Sequence, residues 1–148
     1  MKKNHHCNVL TVSGCGILIE GPSGSGKSSL TFGLLEKSSK AELENAFVCD
    51  DQAMLVNESG TLIASAPVMT GGKIELRGYG IIDHPHLESC SISLVARMVG
   101  EGQVPRMPHL ESTELFGVEL PLIKIPMRHE QASVRIVFAW LKDNGYLD

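Results

Sequence analysis

Short apolar runs broken by glycine and polar residues fill the first two thirds of the chain. Val9-Leu10-Thr11-Val12 and Ile17-Leu18-Ile19-Glu20 flank Gly14-Cys15-Gly16, which predicts a β-hairpin. From Ser28 to Lys37, Leu30, Leu34 and Leu35 share one face at helical spacing, with charge at the far end. Ala46-Phe47-Val48-Cys49 reads as a buried strand that ends on Asp50-Asp51. Met54-Leu55-Val56 and Leu62-Ile63-Ala64 predict a second hairpin, with Gly60 in its turn. Ile74-Glu75-Leu76 and Gly80-Ile81-Ile82 bracket a glycine-containing bend, and Ile92-Ser93-Leu94-Val95 reads as a further strand. Pro105, Pro108, Pro121 and Pro126 punctuate the next stretch, where Leu120 to Ile125 is extended. Helical spacing returns from Glu130 to Leu141.

Composition narrows the class. The 148 residues suit one core, so a single domain over 1–148 is expected, and 43% hydrophobic with 20% charged residues is a globular balance. A net charge of -4 disfavours a surface made to neutralise nucleic-acid phosphates. The apolar run after Met1-Lys2-Lys3-Asn4-His5-His6 is too short and too interrupted by Gly for a signal peptide or membrane span, so a cytoplasmic location is expected. Cys7, Cys15, Cys49 and Cys90 lack C-x-x-C spacing, which predicts buried reduced thiols.

Chemistry enters with Gly21-Pro22-Ser23-Gly24-Ser25-Gly26-Lys27-Ser28, a complete G-x-x-x-x-G-K-S phosphate loop between a predicted strand and a predicted helix. Its glycines permit the tight turns that converge backbone N–H groups on phosphate oxygens, and the helix adds its positive end. Lys27 is placed to reach the β- and γ-phosphates of ATP, and the Ser28 hydroxyl to bind Mg²⁺. Kinases, hydrolases and switches share this loop, so it leaves the reaction open. A hydroxyl nucleophile needs a carboxylate to accept its proton, and Asp50 and Asp51 at a strand end are the natural candidates. Glu75 is a charge in an apolar frame that could equally face solvent. His6, at the start of the first strand, could polarise a phosphate or a water, or be plain polar surface.

The phosphate loop, Val48-Cys49-Asp50-Asp51 and Ile74-Glu75-Leu76-Arg77-Gly78-Tyr79-Gly80-Ile81-Ile82 together resemble the catalytic domain of the HPr(Ser) kinase/phosphorylase family, over about residues 6 to 146. The resemblance implies a short form without the amino-terminal domain of longer members. It implies an α/β fold, a P-loop kinase domain related to phosphoenolpyruvate carboxykinase, with mixed β-sheets and flanking helices. It implies a homo-oligomer, commonly a hexamer, and an ATP-dependent serine kinase acting on the phosphocarrier HPr. Residue by residue, His6 matches the family's active-site His, Lys27 its loop Lys, and Ser28 and Glu75 its magnesium ligands. Asp50 and Asp51 match the paired acids, one of which is the acid-base, with Asp51 the preferred choice. Arg106 resembles an active-site Arg set before a late Pro-bounded strand, here Glu114 to Pro121.

Two departures accompany the resemblance. The spacing from Lys27 to Asp50 is longer than in the family, so Glu36 to Lys40 is expected to extend the helix end or form a surface loop. Where the family has a Gly-Arg-Asn turn linked to dephosphorylation, this chain has Met127-Arg128-His129-Glu130-Gln131, which argues against the phosphorylase direction. Arg128 is either a substitute for that Arg or a surface residue. Leu141-Lys142-Asp143-Asn144-Gly145-Tyr146 resembles the family's closing segment and suggests a complete domain. The competing readings are a nucleotide-sensing module without phosphotransfer and a P-loop kinase for another substrate.

Overall fold

The computed structural model describes residues 2–107 and 110–148. Strands β2 (Asn8–Val12) and β3 (Cys15–Glu20) form the first predicted hairpin. Apart from Asn8, Thr11 and the terminal Glu20 they carry no polar side chain, because both faces are covered. They lie in a six-stranded sheet with β4 (Asn45–Cys49), β10 (Leu94–Val99), β11 (Glu111–Leu115) and β12 (Val118–Pro126), in the order β11-β12-β10-β3-β2-β4. The sheet is mixed: β10 runs parallel to β3 and β12, and the other pairs are antiparallel.

Side-chain alternation along these strands feeds two cores. Leu10, Ile17, Ile19, Phe47, Leu94, Ala96 and Ile125 point to one face, where helices α1 (Lys27–Lys40) and α2 (Glu130–Asp143) cover them with Leu30, Leu34, Val137 and Leu141. Val9, Leu18, Val48, Val95 and Leu120 point to the other, against a four-stranded antiparallel sheet, β1-β5-β6-β9. That sheet comprises β1 (Lys3–His6), β5 (Gln52–Glu58), β6 (Thr61–Ser65) and β9 (Ser89–Ser91). The third sheet is the hairpin of β7 (Lys73–Leu76) and β8 (Gly80–Asp83), held to the helix-side core by fully buried Ile74. The expected mixed α/β architecture is therefore present.

Several boundaries differ from those the pattern predicts. The first hairpin turns at Ser13-Gly14, both at positive φ (48° and 79°), while Gly16 sits inside β3. Gly16 serves a close approach instead: a Cβ there would lie 1.9 Å from the Ser91 carbonyl oxygen. Gly16→Ala is expected to cost about 1–3 kcal/mol of stability, read as a lower Tm in thermal unfolding. The strand expected over Ile92 to Val95 is present only from Leu94, as the start of β10, and Ile92-Ser93 form a crossing between sheets. Ile92 N–H bonds Leu62 O and Ser93 N–H bonds Gly16 O, both at 2.8 Å, before β10 begins at Leu94. The late strand expected from Glu114 to Pro121 is broken by a turn at Phe116-Gly117, again with both φ positive, giving the β11–β12 hairpin. Phe116 is tolerated in that turn because its ring packs edge-on against His5 and joins the second core.

Glu36 to Lys40 takes the helical alternative, since α1 runs to Lys40 and buried Ser38 donates to Leu34 O at 2.7 Å. Lys3–His6 forms a strand of its own, paired with β5, which puts His6 opposite Gln52. Cys7, Cys15 and Cys49 are buried as expected, and Cys90 is half-buried. Burial pushes the Cys49 thiol up to about 12, which keeps it neutral packing. No helix among the described residues is long and apolar enough to cross a membrane. Pro108 lies outside the described residues.

Candidate active site

The phosphate loop joins the end of β3 to the start of α1, in the predicted strand, loop and helix order. Gly24 and Gly26 take positive φ, 77° and 98°, as the tight turns require. Lys27 is 6% exposed and donates its ammonium protons to the carbonyls of Gly21 (3.0 Å) and Pro22 (3.2 Å), folding over its own loop. Desolvation lowers its pKa from the usual lysine value, and the charges of Asp51 and Asp50 act in the opposite direction.

The adjacent acids have different surroundings. Asp50, at the end of β4, accepts hydrogen bonds at Oδ1 from Ser28 Oγ (2.5 Å) and Asn8 Nδ2 (2.7 Å), and at Oδ2 from the Glu75 N–H (2.8 Å). It thereby ties the phosphate-loop helix, β2 and the β7 hairpin together. Asp51 has a side chain 63% exposed, and its Oδ1 lies 2.5 Å from His6 Nε2. Among the described residues its other carboxylate oxygen has no protein donor. Asp51 also holds φ at 67°, a left-handed conformation that Asp adopts more readily than most residues.

A buried asparagine that the sequence reading did not single out holds this pair. Asn8 is fully buried at the start of β2; besides Asp50, its Nδ2 donates to Thr31 Oγ1 (3.1 Å), and its Oδ1 accepts from the Asp51 N–H (2.9 Å). Thr31 in turn donates to Lys27 O at 2.8 Å. The sequence signal is an amide at the head of a mostly apolar strand, where it is satisfied only by partners from elsewhere in the fold.

A second network lies beneath the loop. Glu20, the residue before Gly21, accepts from Arg97 Nε at 2.7 Å and sits 3.2 Å from His5 Nε2, and Arg97 also reaches Thr113 Oγ1 at 3.3 Å. The hydrogen bond from His5, then the hydrogen bond and charge of Arg97, hold the Glu20 carboxyl below its usual range against a burial effect of opposite sign. The unfolded chain then binds more protons in acid, so this contribution is present above about pH 4.5, the ordinary value, and fades as pH falls through the lower folded value. Glu20→Gln is expected to flatten that part of the acid limb in denaturant titrations run from pH 5 down to about pH 3.

The structure thus brings His6, Lys27, Ser28, Asp50 and Asp51 together, with Glu75 alongside through its backbone N–H. Glu75 has an exposed side chain on β7. Arg106 is exposed in the bend after the short 3-10 turn Glu101–Gln103, and no hydrogen bond or ion pair among the described residues joins it to the loop or the acids. Arg128 does reach the loop, through the Gly24 and Ser25 carbonyls. Ser28 Oγ and Asp50 Oδ1 converge as hard oxygen donors, a set that fits Mg²⁺.

Several known proteins are similar to this chain. The HPr kinase/phosphorylase of Clostridium tetani is 38% identical over 95 residues, covering 64% of this chain and 29% of the relative. That of Chlorobium phaeobacteroides is 29% identical over 138 residues, covering 84% and 39%. The chain therefore spans well under half the length of these curated relatives. The solved Hpr(Ser) kinase/phosphatase from Coxiella burnetii superposes with a TM-score of 0.79 at 26% identity, over 97% of this chain and 99% of that one. The profile described as HPr Serine kinase C-terminal domain matches residues 1–145, nearly the whole phosphate-loop fold and its paired acids, and the chain belongs to that family.

Proposed function

We propose that this domain is an ATP-dependent serine kinase that phosphorylates HPr. The observation that carries this reading is the division of labour between neighbouring carboxylates: Asp50 is bound to the Ser28 hydroxyl of the phosphate loop, and Asp51 is turned outward beside His6 with one oxygen that has no donor among the described residues. A protein kinase needs both a phosphate-and-metal cradle and a base that an incoming side chain can reach.

Lys27 leaves its loop carbonyls for the β- and γ-phosphates of ATP. Ser28, Asp50 and Glu75 would hold Mg²⁺, which when bound would offset charge on the phosphates. Asp51 accepts the seryl proton while the serine oxygen bonds to the γ-phosphorus, the β–γ bridging P–O bond breaks and ADP departs. His6 orients Asp51 through the hydrogen bond between Nε2 and Oδ1. Phosphorylation is the favoured direction, because Met127 to Gln131 replaces the turn linked to dephosphorylation. On the same reading the domain works in the cytoplasm as a homo-oligomer, which light scattering tests.

The experiment is incubation with γ-labelled ATP, Mg²⁺ and HPr, with Lys27→Ala as the inactive control. Labelled phosphoserine on HPr is the expected product. Tight ATP binding with unlabelled HPr would instead mark a nucleotide sensor, and labelling of another protein in extract would mark a different substrate.

A further inference from the structure

The turn from β12 into α2 rests on the phosphate loop. Arg128, at its apex, donates its backbone N–H to Ser25 O at 3.0 Å and its Nε–H to Gly24 O at 3.2 Å. The turn is anchored on both sides: Met127 N–H bonds Val99 O at 3.0 Å, and Ser133 Oγ bonds Pro126 O at 2.9 Å. Arg128 is exposed, yet it holds φ at 58°, a region that favours glycine. An exposed arginine in a left-handed turn, with both backbone and side chain spent on one loop, is not accounted for by packing.

We infer that Arg128 is a positioning residue for nucleotide binding: it clasps the outer carbonyls of the phosphate loop and so fixes the direction of the loop's N–H groups. In a trans peptide the C=O and the following N–H point in opposite directions. Holding the Ser25 carbonyl therefore aims the Gly26 N–H away from Arg128, and holding the Gly24 carbonyl does the same for the Ser25 N–H, which here closes a turn on Pro22 O at 3.1 Å. Glycines at 24 and 26 leave this backbone wide freedom, so an external restraint changes how much ordering a bound phosphate must supply. The guanidinium bond is charge-assisted and directional, and its donor sits partway along the side chain, where lysine has none. Arg128 also lines a cleft of about 320 Å³ with Gly24, Gly26, Ser29 and Arg77, which puts a second cation beside the loop.

The inference rests on the reading of the loop as an ATP site, so its test has one arm that uses nucleotide and one that does not. Arg128→Gly keeps the backbone N–H and suits the positive φ, so Tm should not fall, while Mg²⁺-ATP affinity by calorimetry should drop about tenfold. Arg128→Lys should stay at least severalfold weak, because charge alone does not rebuild the clasp. In the nucleotide-free protein, hydrogen exchange at the Ser25 and Gly26 amides should speed up in Arg128→Gly and not in variants of distant surface residues. Wild-type affinity in the Gly variant, full recovery in the Lys variant, or unchanged amide exchange would each overturn the clasp. Failure of the wild type itself to bind Mg²⁺-ATP would instead overturn the nucleotide reading, leaving the exchange measurement to decide the clasp.

Discussion

Asp51→Asn is expected to lower phosphoryl transfer to HPr by about 10²–10⁴-fold while leaving Mg²⁺-ATP binding and stability near wild type. The side chain is 63% exposed and bonded only to His6 among the described residues, so its amide isostere strands no buried group. The residue's φ of 67° suits Asn at least as well as Asp, so the backbone should not be strained by the change. What the amide cannot do is accept the seryl proton. Asp50→Asn should behave differently. Asp50 accepts from Ser28, Asn8 and the Glu75 N–H, and an amide at that position must turn a donor toward at least one donor. Reduced Tm and weaker Mg²⁺-dependent nucleotide binding should accompany its loss of transfer. Single-turnover labelling beside calorimetry separates the two, and a wild-type transfer rate in Asp51→Asn would remove that residue from the acid-base role.

Asn8→Ala should combine the largest stability loss at the site with a catalytic defect. The side chain is fully buried, and its removal leaves the Asp51 N–H without its acceptor and takes a donor from the Asp50 carboxylate and from Thr31. Leaving such buried groups unmatched costs about 1–3 kcal/mol, and more beside a charge, so a drop of about 2–4 kcal/mol in denaturant unfolding is expected. Because Asn8 restrains the backbone that carries Asp51 in its left-handed conformation, transfer should fall about tenfold or more even well below the unfolding midpoint. Asn8→Asp provides the contrast: it keeps an acceptor for the Asp51 N–H but places a second carboxylate against Asp50. Its transfer should stay low although that acceptor is restored, because the two carboxylates repel one another, whereas recovery would show that only the acceptor mattered.

The phosphate loop was legible because its function is local. Glycine spacing, a lysine, a serine and the start of a helix are consecutive in the chain, and backbone sterics alone produce the cradle. The apolar runs that became β2, β3 and β4 were legible for a similar reason, since strands covered on both faces show it in composition. Boundaries failed where distant partners set them. Ile92-Ser93 has strand-like composition but bonds to two different sheets, and Phe116 occupies a turn only because His5 and the second core receive its ring.

The Gly21-to-Ser28 loop, the strand that ends on Asp50-Asp51 and the two helical segments were thus determined by the sequence itself, because each depends on neighbours a few residues away. Tertiary structure alone decided which acid faces the loop and which faces outward, that Asn8 and Thr31 link them to α1, and that Arg128 reaches Gly24 from the far end of the chain. Hydrogen-bond partners separated by 22 to 104 positions leave no periodic trace in a single chain. They form only once burial has brought the strand ends and the helix start to one edge of the sheet.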